Sequence, residues 1–365
     1  MTLEPLRVGI VGLGGVAIGH LEGYRGLSDV RVVAGADIAP GRAAEIGGRY
    51  GFTPYLDYRE MFDRERLDLV AVLSTVNSHR EIGEAAADRG LHVLCEKPLA
   101  VTLEDADHLI AHCAARGVKL FYAASYRFLP PVVRARQLIA EGALGEVQLL
   151  IETLLGGAGV EGYQPMSFAH YPAGGPGGSG WGVVDHGIHL VDVFGWLTGR
   201  RIEGVYGRGQ ISGAAPVTEF LIAEFEGGAV GHLIYQNASW SADLPTEGMF
   251  SWAPEWDELV TSTPGAPRGG RWQEQPGNIR VYGTNGALRI FHYANKLFLR
   301  NQSGLRELRL DDRPMPAQFG AEMASFARSI RENQPPEVPA SVGREALRVV
   351  LAAYESMSVR RRVEL

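Results

Sequence analysis

Strand and helix signals alternate over the first 125 residues, strand signals dominate from 203 to 310, and two helices close the chain. These observations predict an α/β fold in two parts. The first, residues 1–126, is a doubly wound parallel sheet; the second, residues 127–365, is an α/β domain on an antiparallel or mixed sheet. The length of 365 residues agrees with two domains of roughly 100–200 residues each.

Residues 6–11 are a short apolar run ahead of a glycine turn, the pattern of a buried parallel strand. Residues 16–27 carry apolar side chains at helical spacing, 30–36 read as a second strand, and 39–50 as a helix. Strands at 67–74, 91–95 and 118–124 alternate with helices at 79–89 and 103–116. Helices of this length between strands suit parallel crossovers. After Arg127 the pattern changes. A helix at 131–141 has Pro131 in its first turn, a strand covers 145–155, a glycine- and proline-rich loop covers 156–180, and a helix covers 184–197. Alternating segments such as 220–225 and 230–235 follow, and Asn285-Gly286 predicts a hairpin between 279–282 and 287–290. Helices at 317–332 and 342–357 flank Pro335-Pro336.

Composition narrows the function. Lys plus Arg is 35 and Asp plus Glu is 42, a net charge of −7. An acidic chain without a basic run is ill suited to nucleic acid or an anionic membrane. No run of 18 apolar residues predicts a membrane span, and residues 1–7 lack an apolar signal core. Two cysteines, Cys95 and Cys113, are too few for a disulfide framework or a cysteine-rich metal site, so a reducing cytoplasm is expected. The 47 glycines fall at turns.

The first strand runs into Gly12-Leu13-Gly14-Gly15-Val16-Ala17, a G-x-G-x-x-A pattern between strand and helix. Gly12 permits the tight turn, Gly14 lets a pyrophosphate approach the backbone, and Ala17 allows close helix–strand packing. Gly15 and Val16 open the helix whose N-terminus attracts the anion. Asp37 ends the second strand, where an acid accepts ribose hydroxyls, with Ile38 and Arg42 just beyond. A carboxylate there repels a 2′-phosphate, so NAD is expected and NADP is less favoured; Arg42 is the residue that would meet such a phosphate.

Two further segments carry chemistry. The fifth strand ends in Cys95-Glu96-Lys97-Pro98, and ligands bind beyond the carboxyl ends of such strands. Pro98 fixes the chain after Lys97, although a solvated surface lysine has the same spacing. The second segment is Asp185-His186-Gly187-Ile188-His189-Leu190-Val191-Asp192. Asp185, His189 and Asp192 share a helix face, and a histidine beside a carboxylate suits proton transfer near neutral pH. Asp185 equally suits a first helical turn, and His189 a core position. Asp185, His189 and Asp192, or His186 with His189, also have metal-ligand spacing. One short cluster without a second ligand segment predicts no metal.

On these residues the chain resembles the Gfo/Idh/MocA oxidoreductases, which include glucose–fructose oxidoreductase and inositol dehydrogenase. The resemblance covers nearly all of the chain. It rests on Gly12 to Ala17, Ser74-Thr75-Val76-Asn77-Ser78-His79, Glu96-Lys97-Pro98, Tyr126-Arg127-Phe128, and Gly180 through Asp185 to His189. It implies a Rossmann domain followed by a domain with a large, open, mostly antiparallel sheet. That sheet commonly joins subunits, which implies a homodimer or homotetramer. It also implies catalytic roles for Lys97, Asp185 and His189, with Ser74, Thr75, Asn77, His79, Glu96 and Arg127 along the cofactor and substrate crevice. The family's usual Thr-Pro-Asn reads Thr75-Val76-Asn77 here, and its glycine triplet reads Gly178-Ser179-Gly180.

The implied activity is hydride transfer between NAD and a hydroxyl of a sugar, glycoside or cyclic polyol. Two alternatives stay open: a redox-neutral glycoside-cleaving enzyme that oxidises the sugar transiently, and a dinucleotide-binding sensor without turnover. Segments 156–180 and 240–277 are long for loops and rich in aromatics. They contain or adjoin Trp181, Trp240, Trp252, Trp256, Trp272, Tyr163, Phe168, Tyr171 and Phe250. Such rings suit stacking on a sugar or packing in a subunit interface. Tyr163 and Trp181 are expected at the substrate, with Lys97, Arg127, Asp185 and His189.

Overall fold

The computed structural model describes residues 4–155, 182–212, 215–236, 279–311 and 316–365. Loops 156–180 and 240–277, with Tyr163, Trp181 and the other aromatics named above, lie outside the described residues. The chain divides into two compact units, residues 1–125 with 316–347 and residues 126–315 with 348–365. The single expected cut after residue 126 differs by one segment: residues 316–347 return to the first unit.

The first unit runs β1 (Leu6–Val11), α1 (Gly15–Tyr24), β2 (Val30–Ala36), α2 (Pro40–Tyr50), β3 (Thr53–Tyr55), α3 (Tyr58–Arg64), β4 (Leu69–Val72), α4 (His79–Ala87), β5 (His92–Glu96), α5 (Leu103–Ala115) and β6 (Leu120–Ala123). Six strands lie in the order β3-β2-β1-β4-β5-β6. Every neighbouring pair is parallel, so the expected doubly wound sheet is present, with its order reversing beside β1. β4, β5 and β6 are almost wholly buried, as strands covered on both faces must be. Sequence periodicity misses β3 and α3. Thr53-Pro54-Tyr55 is only three residues and contains a proline, which a sheet tolerates at its edge. α3 has seven residues, and its start is set by Asp57, whose side chain accepts the Arg59 N–H at 2.8 Å.

The returning segment contains α8 (Ala317–Arg331), which packs on α1. Glycines bring the two backbones together. A Cβ on Gly320 would lie 2.3 Å from the Gly23 carbonyl oxygen, and one on Gly23 would lie 2.7 Å from the Gly320 nitrogen.

The second unit begins with α6 (Pro130–Ala140) and β7 (Val147–Leu155). A π-helical turn (Val183–Gly187) leads into α7 (Ile188–Thr198). Then come β8 (Ile202–Ser212), β9 (Ala215–Phe225), β10 (Val230–Gln236), β11 (Ile279–Gly283), β12 (Gly286–Phe291), β13 (Lys296–Asn301) and β14 (Gly304–Leu308). The chain closes with α9 (Ala340–Val359), whose first eight residues belong to the first unit, and β15 (Val363–Glu364). The described strands form a nine-stranded sheet in the order β14-β13-β12-β11-β7-β10-β9-β8-β15. Only β7 and β10 pair in parallel, so the sheet is mixed and mostly antiparallel. β10 alternates strictly, burying Gly231, Leu233 and Tyr235. The expected hairpin joins β11 to β12, pairing Ile279 with Ile290 and Tyr282 with Ala287, with its tight connection at Thr284-Asn285 and Gly286 already in β12.

The α1–α8 contact gives a stability prediction. Gly320→Ala should destabilise the protein by about 1–3 kcal/mol in urea melts, because its Cβ meets backbone that cannot turn aside. Gly48→Ala, where nothing lies within 4 Å, should instead stabilise α2 by about 0.4–1 kcal/mol.

Candidate active site

The dinucleotide pattern sits at the carboxyl edge of the parallel sheet. Gly12 has φ +89°, and a Cβ there would fall 2.6 Å from the Ser74 backbone, so only glycine fits between the ends of β1 and β4. Gly14 and Gly15 are exposed with nothing within 4 Å of an added Cβ, which leaves the helix N-terminus open to a ligand. α1 has no acidic residue in its first turn and no side-chain cap, so its leading N–H groups suit a pyrophosphate. Ala17 is fully buried against the sheet, and Val16 is half-buried.

Asp37 follows β2, half-exposed. Its Oδ2 accepts the Leu13 N–H and its Oδ1 the Ala39 N–H, both at 2.9 Å. It therefore shapes the glycine loop as well as standing where ribose hydroxyls are expected. Arg42 Nε donates to the Leu13 carbonyl at 2.6 Å, so this guanidinium also braces the loop. Ile38 is 92% exposed, an apolar surface beside Asp37 that suits an adenine face. These residues fit a dinucleotide.

Ser74, Thr75 and Asn77 follow β4. Thr75 and Asn77 are exposed, the Ser74 hydroxyl bonds that of Ser78 at 2.8 Å, and Val76 is packed inside. Lys97 follows β5 and is half-buried. Two expected crevice residues are placed differently. Glu96 and His79 are 4% and 1% exposed and brace the lysine loop from within. Glu96 accepts the Lys97 N–H at 2.8 Å and bonds His20 Nε2 at 3.0 Å. His79 bonds the Pro98 carbonyl at 2.9 Å and the Ser74 carbonyl at 3.0 Å, linking the loops after β4 and β5. Burial pushes the His79 pKa down, against the pull of those carbonyls.

In the second unit, Asp185 lies in the π turn and His189 in the first turn of α7. Both are half-buried, while their neighbours Val184, His186, Gly187, Ile188 and Leu190 are buried. The His189 ring stacks on Tyr126 at 4.1 Å between centroids and 6° between planes. His186 is buried and bonds the fully buried Glu152 of β7 at 2.9 Å. Asp192 binds Arg127, accepting from Nε at 2.8 Å and Nη2 at 2.6 Å. Both partners of this ion pair belong to the second unit. The pair also withdraws Asp192 from the imagined ligand face. Two of the five guanidinium N–H donors are thus engaged by Asp192. Among the described residues, no group of three or more His, Cys, Asp or Glu side chains is arranged to hold a metal.

Residues 6–124 match the profile of an oxidoreductase family, NAD-binding Rossmann fold, and residues 173–365 match that of an oxidoreductase family, C-terminal alpha/beta domain. The chain belongs to the Gfo/Idh/MocA oxidoreductase family. Its first unit is accordingly an NAD-binding Rossmann domain. It is similar to a myo-inositol 2-dehydrogenase of Thermotoga maritima, 23% identical over 99% of this chain and 98% of that protein. A D-glucoside 3-dehydrogenase of Escherichia coli is 31% identical over 54% of this chain and 56% of its own length. A levoglucosan dehydrogenase solved with NADH and levoglucosan has the same fold, with a TM-score of 0.79, 21% identity and 99% coverage of both chains.

This Gfo/Idh/MocA chain also uses residues that the motifs do not name. The helix carrying Asp185 and His189 starts in a buried place, and three of its leading N–H groups need acceptors. Glu219 of β9 accepts from Gly182 at 2.5 Å and Val183 at 3.1 Å, and the Tyr354 hydroxyl accepts from Val184 at 3.1 Å. Gly182 and Gly187 let the turn lie on β10, where an added Cβ would fall 2.0 Å from Tyr235 and 2.7 Å from Leu233. The available signal was an acid within a strand's buried set: Glu219 alternates with Leu221, Ala223 and Phe225, and Glu152 follows Leu150 two residues on.

Cofactor choice and pH dependence are both testable. Asp37→Ala should lower NAD affinity by about 1–3 kcal/mol and improve the NADP to NAD binding ratio. Loss of the Leu13 and Ala39 contacts harms both cofactors, so the ratio in calorimetric titrations is the deciding number. Burial raises the Glu219 pKa from 4.5 to about 7 despite its donors. An acid raised in the fold stabilises fully below about pH 4.5 and loses that contribution as pH rises through about 7. Glu219→Gln keeps an acceptor and removes the titration. Between pH 4 and pH 8, wild type should lose on the order of 3 kcal/mol of unfolding free energy relative to this variant. Parallel urea curves at the two pH values would reveal the error of this assignment.

Proposed function

We propose that the chain is an NAD-dependent dehydrogenase acting on a CH–OH group of a sugar, glycoside or cyclic polyol. The observation that carries this reading is the support given to each of the three residues assigned to handle the proton. Lys97 is held by a loop braced through buried His20 and His79, and Asp185 and His189 by a helix start capped from below. The bound dinucleotide supplies the hydride acceptor. His189 takes the hydroxyl proton, Asp185 orients the imidazole and favours its charged form, and Lys97 donates a hydrogen bond that stabilises negative charge on the reacting oxygen. Arg127 and the aromatics Tyr163 and Trp181 are assigned to the substrate. NAD is favoured over NADP by the Asp37 carboxylate. Assembly as a homodimer or homotetramer through the second-unit sheet, and work in the cytoplasm, complete the proposal.

The substrate class is supported by the relatives' names, an inositol dehydrogenase along the full length and a glucoside dehydrogenase over about half. The glucoside name also favours a second reading. Oxidation of a ring hydroxyl acidifies the neighbouring C–H, so the same residues suit elimination followed by return of the hydride. A panel of inositols, free sugars and aryl glycosides, followed for both NADH and released phenol, separates the readings. NADH accumulation supports the dehydrogenase, phenol without NADH supports the redox-neutral enzyme, and neither with any substrate sinks both.

His189→Asn should slow turnover by roughly 10²–10⁴-fold with NAD affinity nearly unchanged. Single-turnover kinetics on the best panel substrate, beside NAD titration of the same variant, makes the measurement. Wild-type turnover in the variant would move the base elsewhere, with His186 excluded by its buried bond to Glu152.

A further inference from the structure

Tyr126 belongs to no role derived so far. It is 8% exposed and lies at the centre of four rings. His189 stacks on it, Tyr293 meets it edge-on at 5.8 Å and 89°, His292 lies at 5.2 Å, and His186 at 6.1 Å. The Tyr126 and Tyr293 hydroxyls hydrogen-bond each other. Tyr293 itself packs on His292 at 4.2 Å. The phenol plane is therefore fixed at its hydroxyl end and on its edges, while one face lies flat against the half-buried His189.

We infer that Tyr126 is a positioning residue of His189 beside Asp185, holding the imidazole plane parallel to its own and so restricting the direction in which the base presents its nitrogens. The inference deepens the proposed dehydrogenase reading and rests on it for its kinetic part. The physics is direct. A histidine side chain turns about two bonds, and ring rotation about the second has a broad preference, so the local helix does not fix the plane. A flat stack at 4.1 Å leaves room for sliding but little for rotation. Catalysis is sensitive to such placement, since a misplacement of about 1 Å can cost 10²-fold.

The stack also favours the state that the base reaches after taking a proton. The face of a phenol ring is electron-rich and attracts a cation above it. The other titratable groups against the ring are His186, His292 and Tyr293, with Glu152 bonded to His186 and Asp185 four residues before His189 in the chain. Burial and His186 lower the His292 pKa to about 3, so His292 stays neutral and adds no competing charge near neutral pH. Burial raises the Tyr293 pKa, so this hydroxyl keeps its proton for the Tyr126 bond.

The test needs one readout without substrate. In the cofactor-free protein, the ring current of Tyr126 should move the His189 imidazole proton signals upfield, with the assignment made by their loss in His189→Asn. Tyr126→Phe keeps the stacked face and should keep the shift, with kcat within about threefold of wild type. Tyr126→Leu should return the signals towards ordinary histidine positions. It should also lower kcat about 10–100-fold while KM for NAD changes less than threefold. An unshifted His189 signal in wild type overturns the inference without any variant, so a poorly folded Tyr126→Leu does not protect it. A shift lost in Tyr126→Leu with wild-type kcat also overturns it. If wild type turns over no panel substrate, the dehydrogenase reading fails on its own. The ring-current comparison then decides alone: a shift lost in Tyr126→Leu upholds the placement, and a shift retained there overturns it.

Discussion

The helix that carries Asp185 and His189 begins inside the protein, and the N–H groups of Gly182, Val183 and Val184 must be satisfied there. A helix N-terminus in water draws its hydrogen bonds from solvent; a buried one needs acceptors built for it. Glu219 and the Tyr354 hydroxyl are those acceptors, one from the middle of the sheet and one from the last helix. The rest of the site follows from this seat. The first turn lies on Leu233 and Tyr235, and only glycine at 182 and 187 lets it come that close. A carboxylate at a helix N-terminus also meets the positive end of the helix dipole. Burial still raises its pKa to about 7, so this capping acid stabilises the fold more below that pH than above it.

The first unit supports Lys97 with the same economy of means. A loop at the carboxyl edge of a parallel sheet has few main-chain bonds of its own. Here Glu96, buried behind the loop, takes the Lys97 N–H and is held by His20, while His79 ties the Pro98 carbonyl to the loop after β4. His20 in turn bonds Tyr24 at 2.8 Å and packs on Phe319 of α8 at 4.3 Å between centroids. The segment 316–347 therefore contributes to the support of the lysine loop, from more than 200 residues away in the chain. Polar side chains placed behind a site with satisfied hydrogen bonds hold geometry better than exposed ones, because each alternative position leaves a buried group unpaired.

The sequence made the parallel sheet legible because its strands are continuous apolar runs separated by full helices. β2 agrees with its expected span to the residue, and the hairpin signalled by Asn285-Gly286 joins the two expected strands. β3 and α3 escaped because three and seven residues carry too little period. The glycine pattern, Asp37 and Lys97 were legible as motifs, since their chemistry depends on positions close together in the chain. Glu152, Glu219, His20 and Tyr354 were not, because each acts on a partner between 34 and 170 residues away. His79 and Glu96 were read as crevice residues for a related reason. A motif records that a polar residue is needed, and only packing tells whether it faces the ligand or the loop that holds the ligand.

His186 and His189 show how much one irregular turn decides. Three residues apart on a uniform α-helix, at about 100° per residue, they would lie only about 60° apart and compete for one environment. Asp185 and His189, four apart, would miss alignment by about 40°. The turn at Val183–Gly187 is π-helical, and its i→i+5 bonding gives each residue a smaller rotation. Four residues then come nearer to one whole turn of the helix. Three residues fall further short of it, and His186 is buried on Glu152 while His189 is half-buried. Two histidines of one type in one short segment thus divide the work. The buried one anchors the turn to the sheet, and the half-exposed one lies flat on Tyr126.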